Sequence, residues 1–502
     1  MNTFRISDVL NQYADRLFLV TDGGTYTYGE VADLSARFAS RLQAIGVGKG
    51  DRVAVLAGNS AAYVVAWFGI GMCGAIAATL NNQLVSDGLC FTLRQSGARA
   101  IVADADWVFR GPAHLTDELR DLPILSYEDE SRFFEELKAS PRGEEAALKP
   151  SDPFTILYTS GTTGLPKGVV NTYAAYFATG FHGAERMGLT RQDRLYVFLP
   201  MFHVNPQMMG VMTVWAAGAA MILRPKFSAT HFFSDAKRFG ATGCTFVGTI
   251  LSILVNRYPG EQKDHTIRFC FGGGAPKSVW TAVQERFGIK VLEGYGMTEL
   301  GGFTSINSAE AYKFGSCGLP RSDIELKVLD ADDVEVPRGV KGELCARPRQ
   351  PHVTISTYWQ QPEKFIEATR NLWFHTGDLG AMDEDGYIYY HGRVKELIRR
   401  GGENVSPIEV ETRLMTMQGV RDCAIVGVPD PIMEEEIKAV IVSDEVLDPR
   451  AIADFLRSHF PSHMVPRYVE FIEVIPKTSS EKVQRNLLKG IAAPVVDLST
   501  RR

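Results

Sequence analysis

A loop near residue 160 combines the residue types that hold phosphate groups. The segment 158–170 reads YTSGTTGLPKGVV and places four Thr or Ser side chains, three glycines and one lysine between two apolar runs. Glycines let backbone N–H groups approach an anion closely, while hydroxyls and a lysine add hydrogen-bond donors and positive charge. The loop therefore predicts a polyphosphate site, such as one for the triphosphate of ATP, formed by Thr159, Ser160, Gly161, Thr162, Thr163, Gly164 and Lys167.

Two other kinds of loop share some of these residue types. A Walker P-loop places its lysine directly after the last glycine and follows it with Ser or Thr. Here Lys167 lies three residues beyond Gly164 and precedes Gly168, so the Walker pattern fails. A flexible turn without a ligand stays open if the loop is considered alone, because Gly, Ser and Thr are common in turns.

Composition points to small-molecule chemistry in a multidomain protein. A chain of 502 residues exceeds what one hydrophobic core usually supports, so we expect at least two domains. With 45% hydrophobic and 22% charged residues, it has the makeup of a soluble globular protein. A formal charge of −6 and the absence of long Lys/Arg runs argue against nucleic acid or an anionic membrane as a partner.

Cysteine usage and the N-terminus favour a cytoplasmic protein. The seven cysteines are odd in number and form no CxxC pair, which argues against a disulfide framework or a zinc site. The first residues lack the long apolar core of a signal peptide. The uncharged stretch AAYVVAWFGIGMCGAIAATL at 61–80 is long enough to span a bilayer, but it is a single segment without a basic flank. We predict a buried helix there, capped at Asn59-Ser60 and flanked by strands.

The elements that must position the loop alternate between strand and helix. Apolar residues recur at helical spacing from Val31 to Ile45, Gly46 follows as a helix C-cap, and ARAIVAD at 98–104 reads as a strand. This alternation predicts an α/β fold with a parallel-rich sheet, helices on both faces and ligands at the carboxyl ends of the strands. After about residue 395, the short strands DCAIVGV, IKAVIVSD and RYVEFIEVI and a helix at 449–459 predict a small α+β domain.

Four more motifs follow the phosphate loop in order. They are EGYGMTEL at 293–300, HTGDLG at 375–380, GRVKELIRRGGENVSP at 392–407 and PKTSSEKVQR at 476–485. With these motifs the chain resembles, nearly end to end, the adenylate-forming (AMP-binding) superfamily of acyl-CoA synthetases, peptide-synthetase adenylation domains and luciferases. The segments PMFHVNPQMM and KFSATHFFSDAKRFGAT look most like the crotonobetaine/carnitine-CoA ligase branch.

The resemblance implies a domain division and a reaction. A large N-terminal domain of layered, parallel-rich sheets would cover 1–393, and a small mobile α+β domain would cover 394–502, with its hinge at Lys395. The implied activity is that of an ATP-dependent acyl-CoA synthetase, which forms an acyl-AMP, releases pyrophosphate and transfers the acyl group to CoA. The alternatives are a ligase that loads a carrier-protein pantetheine and a degenerate, non-catalytic binding protein. A homodimer is also expected from the family.

The resemblance also assigns nucleotide contacts. Thr298 would touch the α-phosphate, and Glu299 would bind Mg²⁺, a hard cation that a carboxylate suits. Tyr295 would stack on adenine against the backbone of Gly274, Ala275 and Pro276. Asp378 and Arg393 would grip the ribose hydroxyls. Each could instead be a turn residue or a surface ion pair.

The acid is expected near PMFHVN, where His203 resembles the family's gating aromatic position. Residues 200–210 contain no acid, so an amino acid substrate is not expected. By position relative to the family motifs, the acyl-pocket candidates are Phe202, Met208, Met209, Val247, Gly248, Met297 and Gly301. Methionines adapt to irregular shapes, so the prediction is an apolar acid, although core packing is an alternative for each member.

The C-terminal motifs imply the second half-reaction and one departure. Lys482 resembles the adenylation lysine, while Gly401 and Gly402 resemble part of the thioesterification face. Glu481 stands where relatives carry glycine. A carboxylate beside that lysine and a triphosphate is a like-charge contact with the phosphates. We therefore hypothesise that Glu481 alters how Lys482 acts in adenylation.

Overall fold

Residues 3–273 alternate between strands and helices, as the hydrophobic pattern predicts. The structure is a computed structural model that describes residues 3–159, 166–401, 403–477, 483–490 and 495–499. The strands of this stretch are β1 (Leu17–Val20), β2 (Thr25–Thr27), β3 (Arg52–Leu56), β4 (Ile76–Thr79), β5 (Ala98–Asp104), β6 (Ile124–Tyr127), β7 (Pro153–Thr159), β8 (Lys167–Thr172), β9 (Arg194–Val197), β10 (Ala220–Leu223), β11 (Gly243–Val247) and β12 (Phe269–Gly273). The helices are α1 (Ile6–Asn11), α2 (Tyr28–Ala44), α3 (Ala61–Met72), α4 (Ser86–Ser96), α5 (Ala105–Arg110), α6 (Asp117–Arg120), α7 (Glu130–Lys138), α8 (Tyr173–Met187), α9 (Thr213–Ala217), α10 (Phe232–Phe239) and α11 (Gly248–Arg257).

The rest of the chain is richer in strands. These are β13 (Lys290–Tyr295), β14 (Ser305–Ile306), β15 (Leu319–Pro320), β16 (Ile324–Leu329), β17 (Gly342–Pro348), β18 (Thr357–Tyr358), β19 (Phe374–Met382), β20 (Ile388–Arg393), β21 (Ile398–Arg400), β22 (Glu403–Val405), β23 (Val420–Asp430), β24 (Glu434–Ser443), β25 (Tyr468–Phe471) and β26 (Val496–Asp497). The helices are α12 (Lys277–Ala282), α13 (Pro362–Ala368), α14 (Pro407–Leu414) and α15 (Pro449–Arg457).

Local signals fixed several of these boundaries. Ser60 caps α3, since its Oγ accepts from the N–H of Tyr63 at 3.0 Å. Gly46 follows α2 with a left-handed φ of 80°, and its N–H bonds to the carbonyl of Gln43 at 2.9 Å. The strand predicted at 98–104 is β5. Caps and apolar runs were therefore sufficient to locate these elements.

The chain divides into two compact units. The first contains Met1–Gly273, Val283–Leu326 and Ala346–Phe374, and the second contains Gly274–Ala282, Lys327–Cys345 and His375–Arg502. The predicted large α/β part and small C-terminal α+β part are thus confirmed. The predicted boundary between residues 393 and 394, with its hinge, stays a prediction.

Two sheets organise the first unit. One has seven strands in the order β18-β8-β7-β4-β3-β5-β6, and the other has nine in the order β15-β14-β13-β12-β11-β9-β10-β1-β2. The central pairs of both sheets are parallel, while β8, β18, β2, β14 and β15 pair antiparallel. The phosphate loop leaves the seven-stranded sheet between β7 and β8, at the carboxyl end of β7.

A layer of helices packs between these sheets. Its core joins apolar residues of α2, α3 and α8 to strand residues such as Val55 and Val102 of one sheet and Leu195 and Phe271 of the other. All 12 residues of α3 are buried, which accounts for its lack of charge. Within the described residues, no helix is both long and apolar enough to cross a membrane.

The second unit is built on two smaller sheets. Strands β16-β17-β19-β20 form one sheet, most residues of which belong to this unit. The other joins β22-β21-β24-β25-β26, with β23 also paired to β24, and α14 and α15 cover it with apolar side chains. The predicted strand RYVEFIEVI at 467–475 forms only the four-residue strand β25, which ends at Phe471. The N–H of the next residue, Ile472, still donates to the carbonyl of Ile441 at 3.0 Å.

Candidate active site

The turn after β13 carries the residues that resemble the adenine and magnesium motif. The strand ends at Tyr295, and a single 3-10 turn covers Thr298–Leu300. Gly301 and Gly302 then adopt left-handed φ values of 73° and 86°, a conformation that costs energy in residues with a Cβ. Glu299 is kept inside this turn with 7% of its surface exposed.

An aromatic residue that is distant in sequence orients Glu299. Tyr358 Oη donates to Glu299 Oε1 at 3.0 Å, across 59 residues of chain. Lys167 Nζ lies 4.9 Å from the centroid of the Tyr358 ring. The pairing of β18 with β8, which begins at Lys167, brings Tyr358 close to the lysine, and a hydrogen bond from the N–H of Ile355 to the carbonyl of Glu299 at 2.7 Å ties the segment before β18 to the turn. One tyrosine therefore joins the predicted metal-binding carboxylate to the lysine of the phosphate loop, and no spacing in the sequence indicated it.

A buried arginine braces the same turn. Arg321 Nη1 donates to the carbonyls of Gly301 and Phe303 at 3.3 and 3.0 Å and to Thr179 Oγ1 at 2.9 Å. Asp323 balances its charge through contacts of 2.9 and 2.6 Å. Arg321 is only 1% exposed, so it supports the backbone of the turn from within the core. Arg321 belongs to none of the sequence motifs, so no pattern in the sequence predicts this role.

Buried polar side chains hold the segment that carries His203. Asn59 Oδ1 accepts from the N–H of Met201 at 2.8 Å, and the carbonyl of Met201 accepts from Gln207 Nε2 at 2.7 Å. The centroids of the His203 and Phe202 rings lie 4.2 Å apart. These hydrogen bonds hold the backbone of Met201, next to Phe202 and His203, and so restrict the positions of the two rings. The sequence analysis identified Asn59 only as part of a helix cap.

The predicted acyl-pocket residues lie on three parts of the first unit. Phe202 precedes a π-helix that spans Asn205–Met212 and contains Met208 and Met209, Val247 and Gly248 join β11 to α11, and Met297 and Gly301 flank the turn after β13. Met208 and Met209 are buried. A Cβ on Gly302 would lie 3.5 Å from Met208 Sδ, so the π-helix and the turn approach each other closely. That Val247 and Gly248 line the same pocket stays a prediction.

In the second unit, strand pairing brings together the two residues assigned to the ribose. Asp378 on β19 is the register partner of Arg393 on β20, and Arg393 Nε lies 2.8 Å from Asp378 Oδ1. Arg393 Nη1 also donates to the carbonyl of Thr376 at 3.2 Å. The Arg393 side chain keeps 29% exposure, so part of the guanidinium reaches the surface of this unit.

Other predicted residues of the second unit lie in turns. Gly274, Ala275 and Pro276 precede α12, and Gly274 has a left-handed φ of 88°. Lys395 is exposed within a 3-10 turn over Val394–Glu396. Gly401, with a φ of 59°, bonds through its N–H to the carbonyl of Met433 at 2.8 Å.

Several predicted residues lie outside the described part of the chain. They are Ser160, Gly161, Thr162, Thr163 and Gly164 of the phosphate loop, Gly402 of the RRGGEN segment, and Glu481 and Lys482. Thr159, at the end of β7, is described and half-buried. The roles predicted for the residues outside the described part, and for Thr159, stay predictions.

Residues before and after Lys482 within its motif are paired. Lys477 and Val483 form an antiparallel β-bridge. Lys477 Nζ forms an ion pair with Asp422 at 2.7 Å, and Gln484 Nε2 donates to the carbonyl of Lys477 at 2.8 Å. These contacts place Lys477 and Val483 side by side.

Arg485 ties the same region to the turn that contains Lys395. Its Nε lies 3.2 Å from Glu396 Oε2, its Nη1 pairs with Glu411, and the same Nη1 donates to the carbonyl of Ile425 at 2.8 Å. Burial alone would lower the pKa of Arg485, but the carboxylates of Glu411 and Glu396 hold that pKa above its ordinary value. Arg485 therefore remains charged and is a fixed brace within the second unit.

Family comparisons cover most of the chain. Residues 6–359 match the model of the AMP-binding enzyme family, and residues 409–482 match that of the AMP-binding enzyme C-terminal domain. A probable CoA ligase, CCL9, from Humulus lupulus is 32% identical over 497 residues, which is 95% of this chain and 94% of that protein. The crotonobetaine/carnitine–CoA ligase of Salmonella paratyphi A is 28% identical and covers 96% and 97% of the two chains.

Solved structures agree with these sequence matches. The anthranilate CoA ligase AuaEII in complex with anthranoyl-AMP is 27% identical, with a TM-score of 0.88 over 97% of both chains. ATP-bound MatB from Rhodopseudomonas palustris is 26% identical, with a TM-score of 0.89 over 97% of this chain and 98% of its own. The suspected family, its fold and the resemblance to the crotonobetaine/carnitine branch are confirmed. The chain belongs to the AMP-binding enzyme family, and it is an AMP-forming acid–thiol ligase of the acyl-CoA synthetase type.

Proposed function

We propose that this synthetase binds the ATP phosphates through Thr159, Lys167, Thr298 and Glu299 of its first unit. The main support for this proposal is a set of contacts made by Tyr358, whose hydroxyl donates to the Glu299 carboxylate and whose ring lies against the Lys167 ammonium group. These contacts place a cation and an oriented carboxylate on the two motifs that the family resemblance assigns to phosphate. We also propose that Ser160–Gly164 contact the phosphates and that Asp378 and Arg393 of the second unit contact the ribose.

The chemistry explains these residue types. A carboxylate resists attack by a thiol, so its oxygen first attacks the α-phosphorus of ATP and expels pyrophosphate. Lys167 and Thr298 would hold the phosphates for this displacement and offset charge that builds on them. The thiol then attacks the acyl carbonyl, and AMP leaves with one of the original carboxylate oxygens.

Glu299 fits a magnesium ion by its chemistry. Mg²⁺ prefers oxygen ligands and few carboxylates, and Glu299 supplies a buried carboxylate that Tyr358 holds by one oxygen. When bound there, the ion would neutralise phosphate charge. Tyr358 keeps the carboxylate in one orientation, which reduces the cost of assembling the site.

We further propose an apolar acid as the substrate, held beside His203. Met208 and Met209 are buried in the π-helix, and the polar residue next to them, Gln207, is bonded to the carbonyl of Met201 at 2.7 Å. The methionine side chains of this segment are therefore available to line an apolar pocket, while the Gln207 amide stabilises the backbone at Met201. Adaptable methionines are compatible with acids of irregular shape.

In this proposal the second unit supplies the hinge, the adenylation lysine and the path for the thiol. Lys395 would act as the hinge, Lys482 would assist adenylation, and Gly401 with Gly402 would border the thiol path. Arg485 supports this proposal because it links Glu396, next to Lys395, to the segment that follows Lys482. A few turn residues that absorb a large backbone change are typical of hinged domains.

The first experiment supplies purified enzyme with ATP, Mg²⁺, CoA and carboxylic acids of graded size and polarity, with products read by mass spectrometry. We expect acyl-CoA, AMP and pyrophosphate with apolar acids. Acyl-AMP that accumulates without acyl-CoA would transfer the acceptor role to a carrier-protein pantetheine. A preference for highly polar acids would contradict the apolar pocket.

A matched pair of variants tests the assignment of Glu299. Glu299→Gln should lower pyrophosphate exchange at least about tenfold and weaken its dependence on Mg²⁺ concentration. Glu310→Gln, at an exposed position beyond the turn, should leave both unchanged. Equal behaviour of the two variants would contradict a metal-binding role for Glu299.

A homodimer and a cytoplasmic location also remain proposals that rest on the family resemblance and on cysteine usage. Light scattering during size-exclusion chromatography measures the mass directly. A mass near 55.4 kDa, that of one chain, would contradict the dimer.

A further inference from the structure

Three potential metal ligands meet on adjacent strands of the second unit. Glu343 and Cys345 are two residues apart on β17 and therefore point to the same face of the sheet. His375 lies on the neighbouring strand β19. The carboxylate oxygen, the thiol sulfur and the imidazole nitrogen all lie within 4.8 Å of one another. No second group of three His, Cys, Asp or Glu side chains comes this close within the described residues.

The distances suit a small ion. His375 Nδ1 lies 2.9 Å from Glu343 Oε2 and 3.4 Å from Cys345 Sγ. A tetrahedral zinc site with ordinary bond lengths separates nitrogen from sulfur by about 3.6 Å and nitrogen from oxygen by about 3.3 Å. Side-chain movements of a few tenths of an ångström would therefore admit the ion.

The groups around these ligands match the outer contacts of metal sites. Asp333 Oδ1 lies 3.5 Å from His375 Nε2, on the far side of the ring from the cluster. A metal-binding histidine commonly donates its second ring N–H to a carboxylate, which fixes the tautomer. Glu343 Oε1 accepts from the N–H of Gly377 at 2.8 Å, so the carboxylate is oriented as well.

Burial and ligand type select the kind of ion. Cys345 is fully buried, while the His375 and Glu343 side chains keep 8% and 21% exposure. The glutamate side can therefore admit an ion and a fourth ligand from solvent. Sulfur and nitrogen ligands suit zinc and similar transition metals and do not suit Mg²⁺ or Ca²⁺.

We propose that Glu343, Cys345 and His375 bind one zinc-like divalent cation that cross-links β17 and β19. On binding, the Cys345 thiol releases its proton to solvent, and the neutral imidazole carries its remaining proton on Nε2, facing Asp333. The cysteine spacing argued against a zinc site because there is no CxxC pair. This site needs one cysteine, and strand pairing supplies the histidine from 30 residues away. The inference does not depend on the roles proposed for ATP-binding residues.

Cobalt titration tests the site directly. Tag-free, metal-free full-length enzyme would be titrated with Co²⁺ in the absence of nucleotide. We expect one equivalent to bind with an intense near-ultraviolet thiolate-to-cobalt band and the release of one proton. Cys345→Ser should abolish the band. Cys90→Ser is the matched control, since Cys90 is also buried and its Sγ lies 3.1 Å from the His114 carbonyl. That variant should keep the full band.

A thermal measurement guards against variants that fold poorly. Saturating Zn²⁺ should raise the unfolding midpoint of the wild type and of Cys90→Ser, because an ion that binds only the folded state stabilises it. His375→Gln and Glu343→Gln should bind at least about tenfold more weakly and lose most of that rise. A wild type without the cobalt band, a band that persists in Cys345→Ser, or an unchanged wild-type midpoint with zinc would overturn the proposal.

Discussion

The first unit contains a buried arginine–aspartate pair, Arg321 with Asp323, and the second contains a more open one, Arg393 with Asp378. The side chains of the first pair are 0% and 7% exposed, and those of the second are 29% and 4% exposed. Arg321 donates hydrogen bonds to Asp323, to two backbone carbonyls and to a threonine hydroxyl. Arg393 touches Asp378 and one carbonyl and still reaches the surface of its unit.

The difference shows how the same two residue types can serve structure or ligand binding. Burial alone would raise the pKa of Asp323, but hydrogen bonds from His182 and Arg321 hold that pKa well below its usual range. The buried pair is therefore charged and internally satisfied. A pair with surface exposure can exchange water for ribose hydroxyls at little cost, as the family resemblance implies for Asp378 and Arg393.

The largest expected effect is on stability, from Arg321→Met. The change leaves Asp323 buried without its two hydrogen bonds from Arg321, which should lower the free energy of unfolding by about 3 kcal/mol or more. Urea unfolding followed by circular dichroism measures this. Arg347→Met is the control, because Arg347 is 43% exposed in its pair with Glu325 and should lose less than about 1 kcal/mol. A similar loss in both variants would contradict the contrast between the pairs.

Asp378→Asn should affect ATP binding and leave stability almost unchanged, in contrast to Arg321→Met. It would remove the charge-assisted hydrogen bonding proposed between Asp378 and the ribose, so we expect KM for ATP to rise about 10- to 100-fold with little change in the unfolding midpoint. Steady-state kinetics with varied ATP and CoA separate this effect, since KM for CoA should hardly change. A variant that loses stability but keeps its KM for ATP would make this pair structural too.

Tyr358→Phe should have a smaller effect. It removes the hydrogen bond to Glu299 but keeps the ring against Lys167, and one such bond contributes about 1 kcal/mol. The rate of pyrophosphate exchange should fall by up to about tenfold, with a higher Mg²⁺ requirement. Tyr258→Phe, which loses hydrogen bonds to surface carbonyls, should match the wild type. An unchanged rate in Tyr358→Phe would remove the tyrosine from the proposed site.

A third arginine–aspartate pair, Arg467 with Asp497, should show the smallest effect. Both side chains are 28% exposed, and the hydrogen bond from Arg467 lowers the pKa of Asp497 to about 2. A folded pKa below the unfolded value of about 3.9 stabilises the protein above about pH 4, and this contribution disappears as the pH falls toward 2.

Asp497→Asn should therefore cost less than about 1 kcal/mol at neutral pH, and the difference from the wild type should shrink below about pH 4. Unfolding midpoints of the two proteins over this pH range give the measurement. A difference that grows in acid would contradict the assigned sign.

Local signals in the sequence were sufficient for much of the fold. Ser60 and Gly46 marked helix ends because capping depends on neighbouring residues. β5 matched its apolar run because a buried parallel strand shows such a run. The predicted strand at 467–475 is longer than β25, because the residue pattern does not show where pairing with β24 stops.

The site was predictable only where motifs are contiguous. Asp378 and Arg393 were named from separate motifs, and their pairing follows from the register of β19 and β20. Tyr358 and Arg321 were missed, because their roles arise from partners 59 and 20 residues away that only the fold brings close. Residue type alone does not distinguish such supports from ordinary core or surface residues.

An isotope experiment tests the central claim of AMP-forming acid activation most directly. An accepted carboxylic acid labelled with ¹⁸O in its carboxylate would be supplied with ATP, Mg²⁺ and CoA, and the phosphate-containing products would be analysed by mass spectrometry. Attack of the carboxylate on the α-phosphorus followed by thiol attack on the acyl carbon predicts one ¹⁸O in AMP and none in pyrophosphate. Label in inorganic phosphate, accompanied by ADP, would contradict the account.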